Sequence, residues 1–250
     1  MHRGRQSLCH WTLSFAVLIL SVCSSLVQVG CGTQSRATSY VKLTPLEKAR
    51  KALDEEDYPL AIELYSSHLA DVPDDYPVFP YLAAAYAGAA GFDIVAAATA
   101  NIGSEGSTSL LDRLNAFLPP DPTAEQLNSM LQAKIVILAM PEDHRDRNND
   151  EISYASGAAL QLELYQTSYA IMYLNQFTEV TVDGALDISR LQDMTPADVE
   201  VILNNLEEIA AKGGTGVPAG AGEIVAKVDA QPGDTRRDKL INYLTPKPSP

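Results

Sequence analysis

Two segments of the sequence carry oxygen-bearing side chains at alternate positions, the spacing by which a loop directs several ligands at one calcium ion. In the first segment, residues 146–157, the side chains of Asp146, Asn148 and Asp150 match the opening of such a loop. Glu151 then stands where the sharp turn of the loop requires glycine. The segment is therefore interpreted as a solvated loop between two helices.

The second segment, residues 179–190, has Gly184 at the position of that turn. Its last position, which supplies a bidentate carboxylate in a calcium loop, is Arg190. A cation at that place opposes metal binding, and a simple turn explains the segment equally well. We predict a metal site in neither segment.

Other reactive side chains are sparse. His68 and His144 have no second histidine at metal-ligand spacing, and the three cysteines, Cys9, Cys23 and Cys31, all lie near the N-terminus. The motifs present do not assemble an acid, a base and a nucleophile. We therefore expect a protein that is not an enzyme and that uses no cofactor.

Residues 1–30 have the layout of a secretory signal peptide. A short segment with Arg3 and Arg5 precedes an apolar run from Trp11 to Val22. This run is shorter than the roughly 20 residues that a helix needs to span a bilayer, which disfavours a transmembrane helix. Residues 1–30 are therefore predicted to be removed on export.

The run VQVGC at residues 27–31 resembles a bacterial lipobox, in which an apolar stretch and a small residue precede the cysteine that receives lipid. The resemblance implies cleavage after Gly30 and attachment of diacylglycerol and an acyl chain such as palmitate to Cys31. Cys23 is an alternative acceptor, although Val22 is large for the residue beside the cleavage site.

The residue after Cys31 indicates which of the two bacterial membranes would hold the anchor. In lipoproteins an aspartate there is associated with retention in the inner membrane, and this chain has Gly32. The resemblance therefore implies anchoring in the outer membrane, on its periplasmic face. Residues 31–43 are polar and are predicted to form a tether between the lipid and the folded part.

The charge balance limits the partners. The net charge is −14, with 32 acidic and 18 basic residues, and removal of the signal peptide makes it more negative. Such a charge repels phosphate backbones and anionic lipid headgroups. We expect no nucleic-acid partner, whereas a basic protein or peptide is permitted.

Residues 44–212 are predicted to form an all-α domain of antiparallel helical hairpins, because apolar residues recur at helical spacing throughout. Strand-like alternation is confined to a short piece around residues 179–182. Thr44, Thr123 and Thr195 each precede a helical pattern and have Glu, Gln or Asp three positions on, which is a typical helix start. The longest helix is predicted over residues 152–177.

An early helix carries a pattern that resembles the second half of a tetratricopeptide repeat (TPR), a helical hairpin with a period of about 34 residues. Gly91 and Phe92 repeat Asp57 and Tyr58 at that period, while Val95 stands where the second copy needs a small residue. The residues that carry the pattern are Asp57, Tyr58, Ala61, Tyr65, Leu69 and Pro73 in the first copy, and Leu82, Ala83, Tyr86, Gly91 and Phe92 in the second.

The two copies cover roughly residues 44–105, and an irregular helical bundle is the alternative. TPR proteins bind an extended peptide or a helix on the concave face formed by the first helix of each repeat. The resemblance therefore implies a protein-protein interaction scaffold whose partner is an envelope protein or peptide. By position, the partner-binding residues would be Lys48, Lys51, Ala52, Ala85, Tyr86 and Ala89.

A stripe of tyrosines lies at helical spacing in the predicted long helix. Such a stripe packs into a core with its hydroxyls at the rim, or it lines a cavity for a ligand. The second possibility supports an alternative function, a helical solute-binding lipoprotein auxiliary to a transporter. The stripe consists of Tyr154, Tyr165, Tyr169 and Tyr173.

Residues 213–250 begin with the glycine-rich run GGTGVPAGAG, which is predicted to be a loop or linker. The run lacks the Gly-Lys-Ser/Thr ending of a phosphate-binding loop. Short helices near residues 223–228 and 236–244 and a mobile, proline-rich tail are predicted to follow.

Overall fold

The protein is represented by a computed structural model that describes residues 43–99, 110–180, 186–187 and 189–245. These residues are mainly helical, and the predicted all-α fold class is confirmed. In chain order the helices are α1 (Pro45–Asp54), α2 (Tyr58–Asp71), α3 (Phe79–Ala89), α4 (Ile94–Thr99), α5 (Leu110–Asn115), α6 (Ala124–Leu138), α7 (Ala155–Asn175), α8 (Pro196–Ala210), α9 (Val217–Asp229) and α10 (Arg236–Leu244). Single 3-10 turns lie at Tyr76–Val78, Glu142–Arg145 and Ser189–Asp193.

Side-chain caps set the beginnings of several helices. At α1, Thr44 Oγ1 accepts a hydrogen bond from the Glu47 N–H at 3.2 Å, and the Glu47 carboxylate accepts one from the Thr44 N–H at 2.7 Å. Such a capping box satisfies backbone donors that lack a partner within the helix. The starts predicted at Thr44, Thr123 and Thr195 are confirmed, and Thr235 caps α10 in the same way.

Helices α1 and α2 form one hairpin, and α3 and α4 begin another with a matching turn. Each first helix ends in a Schellman motif, in which one residue takes a left-handed backbone. That residue is Glu56 in the first hairpin, with φ 60°, and Gly91 in the second, with φ 83°. An aspartate then caps each second helix, since Asp57 Oδ1 accepts from the Leu60 N–H at 3.3 Å and Asp93 Oδ1 from the Ala96 N–H at 2.9 Å.

The match between the hairpins corrects the alignment made from sequence. The first helices start at Pro45 and Phe79, at the predicted period, but α3 and the turn after it are each one residue longer than α1 and its turn. The fourth residue of α2 is Ala61, and the fourth residue of α4 is Ala97; both are fully buried. Ala97 therefore takes the small-residue position that was assigned to Val95.

The main hydrophobic core is built around α7, the helix of 21 residues. Most of its residues are buried, so it lacks the one-sided apolar stripe of a surface helix. Helices α6 and α8 pack along it, and α5 and α9 add to the cover. A second, smaller core lies between α1, α2 and α3, and Tyr86 and Val136 pack against both cores.

The C-terminal helices belong to the main core. The predicted loop over the glycine-rich run is wrong in its second half, because α9 starts at Val217 and includes the remaining glycines. Val217, Ala221, Ile224 and Val228 are buried at helical spacing, so their packing outweighs the low helix propensity of glycine. Helix α10 has the predicted bounds and buries Leu240.

The described residues include two β-strands of two residues each. Glu179–Val180 pairs antiparallel with Leu186–Asp187, which agrees with the strand-like piece expected near residues 179–182. The predicted signal peptide, the predicted tether up to Lys42, and the predicted tail from residue 246 lie outside the described residues.

Helix α7 buries a carboxylate. Glu163 is 2% exposed, and its Oε2 lies 2.5 Å from Nη2 of Arg147, whose side chain is partly exposed. Burial raises the pKa of Glu163, while the positive charges of Arg147 and Lys212 act in the opposite direction. The ionised form of Glu163 therefore depends on these two cations.

Replacement of Arg147 by alanine is expected to lower the free energy of unfolding by about 1–3 kcal/mol near pH 7.5, because it leaves a buried carboxylate with less compensation. The loss should shrink near pH 5. A carboxyl whose folded-state pKa lies above its unfolded value favours the folded state as the pH falls and loses that contribution as the pH rises through the folded pKa. Urea denaturation at both pH values measures the effect.

The control for this test is Lys227→Ala, which removes an exposed ion pair with Glu223 on α9. Exposed pairs of this kind contribute little, so we expect no measurable change at either pH. An equal loss for Arg147→Ala at both pH values would show that the guanidinium acts through packing alone.

Candidate binding groove

An open groove of about 1090 Å³ lies between the first helices of the two hairpins and the N-terminal part of α7. Its walls combine aromatic rings, small residues and a few charged side chains. Its main contributors are Arg50 and Asp54 from α1, Tyr81, Ala84 and Gly88 from α3, and Gly157 and Gln161 from α7. Turn residues after α1 and α3 complete one end, and residues before α3 and α7 complete the other.

The end of the groove at the C-terminus of α3, termed the acidic end, is formed by Glu56, Tyr58, Gly88 and Asp93. The Tyr58 ring packs on Gly88, and a methyl group at that position would overlap the ring. Partial burial raises the pKa of Tyr58, and the nearby carboxylates of Glu56 and Asp93 raise it further. Two carboxylates thus lie beside one aromatic ring.

The backbone of Glu56 is unusual for a residue with a side chain. Its φ of 60° falls in the left-handed region, where glycine is the favoured residue at the end of a helix. The equivalent position of the second hairpin is Gly91, which also lines the groove. A carboxylate therefore stands at the acidic end at a position where the backbone favours glycine.

Tyr81 forms an exposed aromatic wall in the groove. Its ring stacks on the buried ring of Tyr65, with centroids 6.1 Å apart and an angle of 19° between the planes. The guanidinium carbon of Arg50 lies 5.2 Å from the Tyr81 centroid, within the range of a cation–π contact. Burial raises the pKa of Tyr65 to about 12, so the Tyr65 ring stays neutral at physiological pH.

At the opposite end of the groove, His144 connects the segment before α7 to the segment before α3. Tyr154, which lines the groove, shares a hydrogen bond between its hydroxyl and Nδ1 of His144. The His144 ring lies 4.4 Å from the ring of Tyr76, in the turn before α3. The segment before α7 is thereby held against the segment before α3, which keeps the two walls at a set distance.

The wall formed by α7 is open at its first turn. A methyl group built on Gly157 would meet no atom within 4 Å, so the space in front of this glycine is empty. One turn further, Gln161 Oε1 is shielded from solvent and has no hydrogen-bond partner among the described residues. The wall therefore offers room for a ligand at Gly157, while the unpaired oxygen of Gln161 lies beneath the surface.

The six residues predicted to bind a partner lie on α1 and α3, but none of them lines the groove. Lys48 and Lys51 are exposed, and Lys51 Nζ lies 3.6 Å from Glu55 Oε1. Ala52 and Ala85 are buried in the smaller core, while Tyr86 and Ala89 are half-buried. The groove uses the neighbouring face of the same two helices, and the role of the six residues stays a prediction.

The tyrosine stripe of α7 belongs mainly to the core. Tyr165 is fully buried and meets Phe92 edge to face at 6.3 Å, and Tyr169 is also buried. The Tyr173 hydroxyl donates to Asp198 Oδ1 at 2.8 Å. Tyr154 differs from the other three because it lines the groove.

The first calcium-like segment uses side-chain oxygens in hydrogen bonds within the segment. Asp146 Oδ1 accepts from the Asn148 N–H at 2.9 Å, and Asn149 Oδ1 accepts from the Glu151 N–H at 3.1 Å. Residues 181–185 of the second segment lie outside the described residues. Across the described ranges, no group of three or more His, Cys, Asp or Glu side chains is arranged to hold a metal ion.

The remaining histidine is engaged by an acid. His68 Nε2 lies 2.7 Å from Asp75 Oδ2, so it joins the end of α2 to the turn before α3. Of the helices in the described part of the chain, none is long and apolar enough to cross a bilayer.

Comparison of the chain with protein-family models, with curated proteins and with solved structures finds no match.

The two glycines of the groove are expected to respond oppositely to alanine. Gly157→Ala should raise the free energy of unfolding by about 0.5–1 kcal/mol, because alanine favours the helix and meets empty space. Gly88→Ala should lower it by about 1–3 kcal/mol, because the methyl displaces the Tyr58 ring. Chemical denaturation of both variants measures this, and a similar gain in both would contradict the packing of Tyr58 on Gly88.

Proposed function

We propose that the protein is a lipid-anchored lipoprotein of the bacterial outer membrane that faces the periplasm and acts as a scaffold, binding a segment of another envelope protein in its groove. The observation that carries this proposal is the groove itself. Two of its walls come from α1 and α3, the first helices of two hairpins. These are the elements that bind partner segments in the TPR proteins that the sequence resembles.

The hairpin geometry supports the TPR-like part of the proposal. The two hairpins share a helix start at the same period, a Schellman end, an aspartate cap and a buried alanine one turn into the second helix. Such correspondence between neighbouring units is what a repeat requires. The second helix of one hairpin, α2, also packs on the first helix of the next, α3, as stacked repeats do.

The size and shape of the groove favour a polypeptide over a small solute. Sites for small molecules are typically cavities of about 300–1000 Å³ that enclose most of the ligand. This groove is about 1090 Å³ and open. The solute-binding alternative needs a cavity against the tyrosines of α7, and Tyr165 and Tyr169 are instead packed in the core.

The N-terminal residues support the anchor. The signal layout ends in VQVGC, and all cysteines of the chain lie at or before Cys31. A mature chain that starts at Cys31 has one thiol, at the position where the resemblance to lipoproteins implies lipid. The acidic, cysteine-free remainder is compatible with an oxidising compartment.

The anchor is tested by labelling the native host with radioactive palmitate. The wild-type protein should incorporate label, and Cys31→Ser should not, because the serine hydroxyl cannot form the thioether. Cys23→Ser serves as the matched control and should label like the wild type. Equal labelling of the wild type and Cys31→Ser would contradict the proposed attachment of lipid at Cys31.

The groove is tested by chemical cross-linking and pull-down from envelopes of the native host in mild detergent. Gly157→Trp should reduce recovery of the partner at least tenfold, since the indole fills the empty space in front of α7. Leu160→Trp is the control, because Leu160 is exposed on the same helix and does not line the groove. Recovery of no partner by the wild type would favour the solute-binding alternative.

A further inference from the structure

The charged residues that line the groove are unbalanced in favour of acids. Arg50 is its basic lining residue among those described, and it lies over the Tyr81 ring. Asp54, Glu56 and Asp93 are its acidic lining residues. A ligand in the groove therefore meets a net negative potential, which concave, low-dielectric walls focus.

The excess acid is concentrated at the acidic end. Glu56 and Asp93 are exposed and form no ion pair with any described residue. Asp93 uses Oδ1 to cap α4, which leaves its second oxygen available. The half-buried Tyr58 ring lies beside both carboxylates and rests on Gly88.

These groups match the chemistry of a lysine or arginine side chain. The aliphatic stem of such a residue packs along an aromatic ring, and its charged head pairs with carboxylates. A free inorganic cation would gain the charge but not the ring contact. The groove continues from this end past Tyr81 to the α7 wall, where Gly157 and Gln161 line it.

We propose that the acidic end of the groove is a specificity subsite that receives a lysine or arginine side chain of an extended partner segment, held by the carboxylates of Glu56 and Asp93 beside the Tyr58 ring. The inference rests on the proposed function, because it assumes that a polypeptide occupies the groove. It adds the class of residue by which that polypeptide is selected.

The test uses the full-length protein in mild detergent and a phage-displayed library of random dodecapeptides. Selected peptides should share a lysine or arginine at one aligned position. In a synthetic copy of the best peptide, norleucine at that position keeps the stem and removes the charge, and it should weaken binding about three- to tenfold. Binding of the basic peptide should also weaken as the salt concentration rises.

The double variant Glu56→Gln with Asp93→Asn should bind the two peptides with affinities within a factor of about two, because asparagine keeps the helix cap while both charges are lost. Glu63→Gln with Asp71→Asn removes two exposed acids of α2 outside the groove and should retain the full preference for the basic peptide. An undiminished preference in the groove variant would overturn the inference.

The outcomes separate this inference from the proposed function. Peptides whose binding is blocked by Gly157→Trp but which share no basic residue would leave the scaffold function standing and overturn the subsite. Failure to select any peptide, or binding of N-acetyl-lysine methylamide as tight as that of the peptide, would overturn both.

The left-handed backbone at Glu56 provides a second readout. Glu56→Gly should raise the midpoint of thermal unfolding, because glycine adopts this φ without strain. The same substitution should reduce the preference for the basic peptide about two- to threefold, since one carboxylate is lost. Loss of preference in a more stable protein cannot be attributed to unfolding, and retention of the preference would contradict a role for Glu56.

Discussion

The burial of helix α7 is the constraint on which the rest of the described structure depends. A helix with one apolar stripe is covered by a neighbour on one side, but α7 is buried around most of its circumference. Helices α6 and α8 therefore have to pack along it, and α5 and α9 fill the remaining sides. Polar groups inside this cover need internal partners, and Thr167 Oγ1 donates to the Glu163 carbonyl at 2.8 Å while Gln166 Nε2 donates to the Glu208 carboxylate.

The groove lies where the cover of α7 ends. A methyl group on Gly157 would meet no atom within 4 Å, and Leu160 is exposed nearby. The two hairpins do not close this opening, because α3 packs mainly on α6, and α1 and α2 share a smaller core with one side of α3. A concave surface between two packed bodies results, and its shape follows from which helices bury each other.

Capping motifs and the spacing of apolar residues predicted the helices. The packing of residues that are distant in the sequence could not be predicted from these local patterns. The caps at Thr44, Thr123 and Thr195 act over three residues, so they are legible in the sequence. The glycine-rich run misled because α9 is stabilised by the packing of Val217 and its buried neighbours, mainly against α8 and α10 and also against α5 and α7, and this tertiary packing leaves no local signal. The spacing of about 34 residues between the two hairpins was visible in the sequence, but the two added residues around the second turn could not be placed without the helix ends.

The groove could not be predicted from the sequence either, because it also depends on tertiary contacts. It depends on Tyr58 resting on Gly88 and on the empty space before Gly157, and neither glycine is marked by its own neighbours. The repeat resemblance indicated α1 and α3, two helices that also line the groove, but the residues it selected lie on the neighbouring face, which contains the buried Ala52 and Ala85. A rotation of one residue position along a helix moves a side chain by about 100°, so the identity of a helix does not determine which of its faces lines the groove.

The positions of the basic residues distinguish two groups of carboxylates, those paired within the fold and those left unpaired at the surface. With 18 basic and 32 acidic residues, the carboxylates outnumber the basic side chains that could pair with them one to one. Arg147 pairs with the buried Glu163, and Arg236 pairs with both Glu200 and Glu207, which ties α10 to α8. These two arginines thus lie where burial or crowding would make an unpaired carboxylate costly. Among the described residues, no base pairs with Glu56 or Asp93 at the acidic end of the groove, so their charge faces whatever enters from solvent. The net charge is a property of the whole chain and does not indicate where a basic partner would bind. Unpaired carboxylates inside a concave surface lined by aromatic rings indicate one particular face of the protein.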